Sequence, residues 1–502
     1  MKIGKINLRK FLNKELLALG LTVLIGSFLR LQGVLTNSFA YTYDVGRDMI
    51  ALWNIVVNHD LVFIGATTGI QGVFYGPWWY YMLVPFFVLF GGDPSGIALT
   101  MSLVGILSIV LAFIIGKKIG NTFLAIIFSL LVSVSPNLVS HSTQIWNPNI
   151  APFFVLLVFF ALFKIYTLEK NNKYFLLLGL FLAINIDLEI LWGILLTLGI
   201  FISQAFILKR KIKLKQIAFL FIGALVIAAP RLLFEIKHGF LMSKSLITFI
   251  LSKNTLEDPL TFRQLLENRV SSYFDLFSSS LAFNNQIVAV VLIVFIVVAL
   301  FLFYKKASDV IKKFIITLVT VLVVFFVGTI IFSHALWPHY LVGLPVVFIL
   351  LFSISLYLLS FKTKNLIIPY FILIVLSVIN FNPLREIKNV TQASFAGDAS
   401  VYRNQLEVVD YVYRESQGKD FKYVVYTPPV HDYTYRYLFM WYGPKTYKYS
   451  PNEEARTAFF IIEPDPGYED RPKWFLEARK NDGKIIKSKI LKSGVVIQTR
   501  VH

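Results

Sequence analysis

The chain has 502 residues, 56% of them hydrophobic and only 15% charged, with a mean hydropathy of +0.68; a soluble core cannot hide that much apolar surface, so a multi-span membrane protein is expected. A net charge of +19 would fit nucleic-acid binding, but the lysines and arginines cluster in short connectors between apolar runs, the bias that holds loops in the cytoplasm, and no nucleic-acid partner is expected. The absence of cysteine excludes disulfides, thiol catalysis and cysteine-ligated metal.

A basic start, Met1 to Glu15, precedes the apolar run Leu16 to Leu35. That run is long enough to span and longer than a signal-peptide core, so it reads as a retained first span with a cytoplasmic N-terminus. Arg30 lies inside it and must snorkel or meet a carboxylate or a phosphate. The stretch that follows, YTYDVGRDM from Tyr41 to Met49, places Asp44 and Asp48 four residues apart with Arg47 beside them, one face of a helix if the segment is helical. Met49, Leu52, Trp53, Val56 and Val57 recur at helical spacing, which predicts a short helix on the membrane surface. One reading makes the carboxylates catalytic; the other makes Asp44 an N-cap and Arg47 a solvated charge.

The next apolar stretch, Trp78 to Phe90, is short for a span and interrupted by Pro85. If it does not cross, the basic clusters at Lys117-Lys118, Lys170 to Lys173, Lys209 to Lys215, Lys305 to Lys313 and Lys362 to Lys364 all face the side of the basic N-terminus; if it does, all lie outside. Thr36 to Gly96 is therefore predicted to be a long external loop with juxtamembrane helices. About eleven spans follow, near 16–35, 97–115, 122–136, 150–167, 174–187, 190–207, 216–230, 285–304, 314–333, 340–360 and 366–381. From Asn382 the composition turns polar, giving a transmembrane domain over 1–381 and a soluble tail over 382–502. Within the tail, Val401 to Glu415 reads as a helix, and Lys422 to Tyr426, Phe459 to Glu463 and Val495 to Arg500 as strands. The expected fold class is thus a polytopic α-helical membrane protein with a small C-terminal extracytoplasmic α/β domain, multi-pass in the plasma membrane.

Polar groups concentrate on the external side. Besides Asp44, Arg47 and Asp48 these are Tyr75, His141, Gln144, Asn147, Asp187, Glu189, Arg231, Glu235, Lys237, His238, His334 and His339. Arg231, Glu235 and His238 share a helical face after Pro230, as an internal Arg–Glu pair or as a cation suited to a departing lipid phosphate. The histidines lack a metal-ligand spacing such as HExxH and read as hydrogen-bonding groups.

Four stretches give the chain a resemblance to the C-type (GT-C) membrane glycosyltransferases, nearest the protein O-mannosyltransferases and the lipid A aminoarabinose transferases. They are the acidic motif Asp44…Asp48 after span one, FYGPWWYY (Phe74 to Tyr81), SPNLVSHSTQIWNPN between spans three and four, and PRLLFEIKHGF from Pro230. Many relatives carry adjacent acidic residues, whereas here the spacing is D-x-x-x-D. The resemblance implies transfer of a sugar from a polyprenyl-phosphate donor to a hydroxyl of a protein, lipid or glycan, with inversion. It makes Asp44 the base, with Asp48 beside it in the catalytic pair, and Arg231, Lys237, Arg30 or Arg47 the partners of the donor phosphate. Tyr75, His141, Gln144, Asn147, Glu189, His238 and His339 would contact substrate. No cofactor or metal is expected from the resemblance, although two aspartates could also bind a divalent ion. The alternative is a transporter or glycolipid flippase, which should carry ionisable or broken-helix elements at mid-span, where these spans are clean. Neither the sugar, the acceptor nor the oligomeric state is set by the sequence.

Overall fold

A long first helix, α1 (Lys14–Leu35), leads through a short turn to α2 (Tyr43–Val57) and then to α3 (Trp78–Leu89), which is too short to cross a bilayer and carries Pro85 within it. The computed structural model describes residues 14–168, 171–208, 213–251, 260–331, 336–363, 367–380, 398–428 and 431–502. The bundle continues with α4 (Pro94–Ile119), α5 (Thr122–Val134), α6 (Pro136–Thr143), α7 (Ala151–Thr167), α8 (Lys173–Leu188), α9 (Ile190–Ile202) and α10 (Leu214–Lys237). After these come α11 (Leu241–Leu251), α12 (Phe262–Leu281), α13 (Gln286–Phe303), α14 (Asp309–Ile330), α15 (Leu344–Thr363) and α16 (Ile367–Asn380).

A helix stands at each of the eleven expected span positions. Among the described residues, seven are long and apolar enough to cross by themselves, and the pair α5–α6, bent by 57°, makes an eighth. The other three, α8, α9 and α16, are shorter. The α8–α9 pair is cut by polar residues, Asn185, Asp187 and Glu189, which are buried and interrupt what would otherwise be one apolar hairpin. The bend after α5 is chemical: Pro136 cannot continue the helix behind it. Arg30 reaches across from α1 to the freed carbonyls there, donating to Ser133 O at 2.8 Å and Val132 O at 3.0 Å.

The tail holds α17 (Tyr402–Ser416), β1 (Phe421–Tyr426), α18 (Tyr433–Tyr447), β2 (Thr457–Ile462), α19 (Asp470–Glu477), β3 (Lys484–Ile490) and β4 (Val496–Val501). Its sheet has the order β1-β2-β4-β3, with β1 parallel to β2 and the other pairs antiparallel. Alternate residues of β2 serve two cores: Phe459 and Ile461 face α17 and α18, while Ala458, Phe460 and Ile462 pack with Phe475 of α19. The three expected strands and the helix are present. β3 escapes a sequence reading because all seven of its residues are exposed and show no apolar alternation. The boundary expected at 381/382 lies outside the described residues, as does His334.

The tail is tied to the first loop. Tyr41 N–H donates to Ser400 O at 2.7 Å and Tyr402 N–H to Phe39 O at 3.0 Å. Trp441 Nε1 donates to Gly91 O at 2.7 Å and the Tyr437 hydroxyl to Gly92 O at 2.5 Å. Between these anchors α18 crosses α2 at Gly46, where an added Cβ would fall 2.4 Å from the Thr434 nitrogen.

Candidate active site

The first turn of α2 separates its two aspartates. α2 is preceded by Thr42 as N-cap, so Asp44 sits inside the first turn and is not the capping residue. Asp48 is buried, its side chain 2% exposed, and both its oxygens accept hydrogen bonds. Oδ1 accepts from Arg47 Nε at 3.0 Å, Arg47 Nη2 at 2.8 Å and the Tyr80 hydroxyl at 3.2 Å, while Oδ2 accepts from Trp79 Nε1 at 2.8 Å. Asp44 is 29% exposed and accepts only from Arg47 Nη1, at 2.6 Å, among the described residues. Arg47 therefore bridges the two carboxylates, and Asp48 fixes the bridge while tying α2 to α3. Burial pushes the Asp44 carboxyl above the usual carboxylate range, against the pull of Arg47.

The second part of the site hangs on Gly76. Its N–H donates to Asp187 O at 3.0 Å, and a Cβ there would fall 1.5 Å from Asp187 Oδ1, so only glycine admits this carboxylate. Asp187 Oδ2 accepts from Trp78 N–H at 3.1 Å, and Oδ1 accepts from Arg231 Nη2 at 3.0 Å. Arg231 thus pairs with Asp187 across helices. Glu235, its expected partner within α10, instead caps α11 by accepting from the N–H groups of Met242 at 2.7 Å and Ser243 at 3.0 Å.

A third cluster centres on Glu189, between α8 and α9. It accepts from the Tyr75 hydroxyl at 2.9 Å and lies 3.9 Å from His339 Nε2. Burial pushes its carboxyl up to about 8, opposed by hydrogen bonds from Tyr75 and from the backbone of Leu191 and Ile190. His339 also meets Trp146 edge-on. Asn147 donates to Leu188 O at 2.7 Å and leaves its Oδ1 buried without a partner. Burial and the adjacent Glu189 carboxylate raise the Tyr75 hydroxyl above its ordinary range, with smaller pushes from Tyr340 and Asp44.

Sequence-expected residues are not all gathered here. Arg30, 1% exposed, is spent on helix-end carbonyls; its Nε and His141 Nδ1 are buried without a hydrogen-bond partner, and both residues line a cavity of about 20 Å³. Gln144 is exposed and donates to Ser140 Oγ. Lys237 and His238 are exposed at the end of α10, with the His238 ring stacked on Phe234. Trp79 and Tyr80, which hold Asp48, and Asp187, which holds Arg231, are the partners that sequence reading left unassigned. Their signal was present in FYGPWWYY and in a carboxylate at a span end. Among the described residues no three His, Asp or Glu side chains cluster as a metal site.

A family profile described as dolichyl-phosphate-mannose-protein mannosyltransferase matches residues 75–234, which takes in Gly76, Asp187, Glu189 and Arg231. The whole chain superposes on ArnT from Cupriavidus metallidurans in the apo state with a TM-score of 0.62 at 11% identity, covering 97% of this chain and 98% of that one. The chain has the fold of ArnT, and its residues 75–234 resemble that mannosyltransferase family. The same ArnT bound to undecaprenyl phosphate is similar at a TM-score of 0.58 and 12% identity, over 97% of this chain and 98% of that one. Among curated proteins no sequence matches the chain. The likeness to ArnT spans both the bundle and the tail.

Proposed function

We propose that this protein transfers a sugar from a polyprenyl-phosphate donor to an acceptor hydroxyl at the external face of the membrane, by one inverting displacement with Asp44 as base. The observation that carries this is the asymmetry of the acidic pair. Asp48 is buried with four hydrogen bonds shared over both oxygens, whereas Asp44, among the described residues, is held by a single guanidinium and keeps open acceptor positions. In the step proposed, the acceptor oxygen attacks the anomeric carbon and its proton passes to the Asp44 carboxylate. The bond from that carbon to the phosphate oxygen breaks, and polyprenyl phosphate leaves with the electron pair. Arg231, fixed by Asp187 with its Nε still unpartnered, and Arg47 are the cations suited to the departing phosphate. Tyr75, Glu189, Asn147 and His339 would line the sugar.

The lipid-linked donor is supported by fold likeness to ArnT, whose structure has been solved with undecaprenyl phosphate bound. The external placement is supported by the lysine-rich connectors at the opposite ends of the spans, such as Lys117-Lys118 after α4 and Lys305-Lys306 after α13.

The test is release of polyprenyl phosphate from a panel of polyprenyl-phosphate sugars by the protein in lipid nanodiscs. Asp44→Asn is expected to lower turnover by about 10²–10⁴-fold with folding intact. Equal turnover by wild type and variant removes Asp44 from the chemistry.

A further inference from the structure

The proposed base has an aromatic neighbour built from two distant parts of the chain. Tyr43 opens α2, and His431 and Tyr433 stand at the entry to α18, which crosses α2 three residues further along, at Gly46. The rings of His431 and Tyr433 are 5.2 Å apart at 12°; Tyr43 lies 6.0 Å from each, at 23° and 24°. A column of three parallel rings would place its outer members at about twice the nearest spacing. A near-equilateral triangle of centroids, closer than rings lying edge to edge in one plane could come, instead means three mutually offset, near-parallel rings packed as one surface cluster. Arg47, which holds Asp44, also sits 5.8 Å from the centre of the Tyr43 ring.

This patch differs from the tail's own core. There, rings such as Tyr423 and Phe439 stack at 4.1 Å around buried side chains. Here His431 is exposed and both tyrosines are partly exposed, although aromatic faces bring little stability when left facing water.

We propose that Tyr43, His431 and Tyr433 form a stacking subsite for a pyranose ring of the acceptor. The inference rests on Asp44 being the base. A pyranose has a face of polarised C–H bonds that suits the negative face of an aromatic ring, and a rim of hydroxyls. Lying on the patch, it presents a rim hydroxyl beside the Asp44 carboxylate; a peptide serine has no such face to offer. The acceptor is therefore a carbohydrate, carried by a soluble glycan or by a glycolipid headgroup, and the tail selects it.

The test is saturation-transfer NMR on the full-length protein in nanodiscs, with methyl α-glucopyranoside and methyl α-mannopyranoside as soluble probes and a glucosyl diacylglycerol as the lipid-borne one. Transfer to the sugar C–H protons is expected in the wild type and in Tyr433→Phe, and is expected to fall at least tenfold in Tyr433→Ala and in His431→Ala, the latter an exposed position that leaves folding intact. Binding of the soluble probes supports a glycan source, and binding of the lipid probe alone supports a glycolipid headgroup. Absence of transfer from all probes in the wild type overturns the subsite, as does unchanged transfer in both alanine variants. Polyprenyl phosphate release by wild type and Asp44→Asn is followed in parallel. It reports on the base and not on stacking, so either reading fails visibly without the other.

Discussion

Two aspartates on one turn of helix carry opposite duties because their surroundings differ by one layer of side chains. Removing the charge of Asp48 should act on stability: in Asp48→Ala the Trp79 and Tyr80 donors stay buried without a partner, at about 1–3 kcal/mol each, and a melting temperature equal to wild type would contradict that anchoring role. Glu189 gives a separate signature. Its folded-state value is raised from 4.5 to about 8, so the folded protein keeps a proton that the unfolded chain releases in between. Its contribution to stability is complete below pH 4.5 and is lost as pH rises through 8. Melting curves across this window should therefore fall more steeply for wild type than for Glu189→Gln, and parallel slopes would show that Glu189 is not the group holding the proton. The sequence exposed both aspartates, Arg47 and Arg231 as candidates. It left their partners hidden, because Asp187 meets Arg231 from another helix and the Gly76 N–H reaches Asp187 across about 110 residues of chain, a pairing that no local periodicity encodes.

Elements show the same division. The span positions, the surface helix after span one and most tail strands were legible because apolar runs and period-two alternation reflect burial directly. The polar break between α8 and α9 was legible too, at Asp187 to Glu189; the bend at Ser135-Pro136 was not, since it depends on what a neighbouring helix offers to the interrupted backbone. Arg30 is the clearest case: an arginine inside a span reads as a phosphate ligand or a snorkelling charge, and here it serves the carbonyls that end α5. The α2–α18 crossing makes a further prediction. With the Thr434 nitrogen 2.4 Å from where a Cβ would stand, Gly46→Val should push α18 off α2. Limited proteolysis should then release the tail from the variant faster than from wild type; equal rates would mean that the crossing does not hold the tail down.

For the whole molecule, the composition alone announced a membrane protein, and the parity of basic connectors set the expected sidedness. That sidedness is open to a direct check because the chain has no native cysteine. A membrane-impermeant thiol reagent applied to intact cells should label Leu61→Cys, which is 78% exposed on the first loop, and should spare Lys118→Cys at the end of α4. Labelling of both from outside would overturn the parity argument, and labelling of Lys118→Cys alone would reverse the proposed orientation of the site.

The hydrogen bond from Tyr437 to Gly92 O joins residues 345 apart in sequence, and the tail supplies the cover over the first loop. During synthesis the loop bearing Asp44 emerges early, and the cover follows after an interval on the order of tens of seconds at typical elongation rates. Through that interval the acidic turn is present without its lid, and the spans between them are still being inserted. A product cut short before the tail would carry Asp44 and Asp48 in the membrane without the residues that pack over their loop.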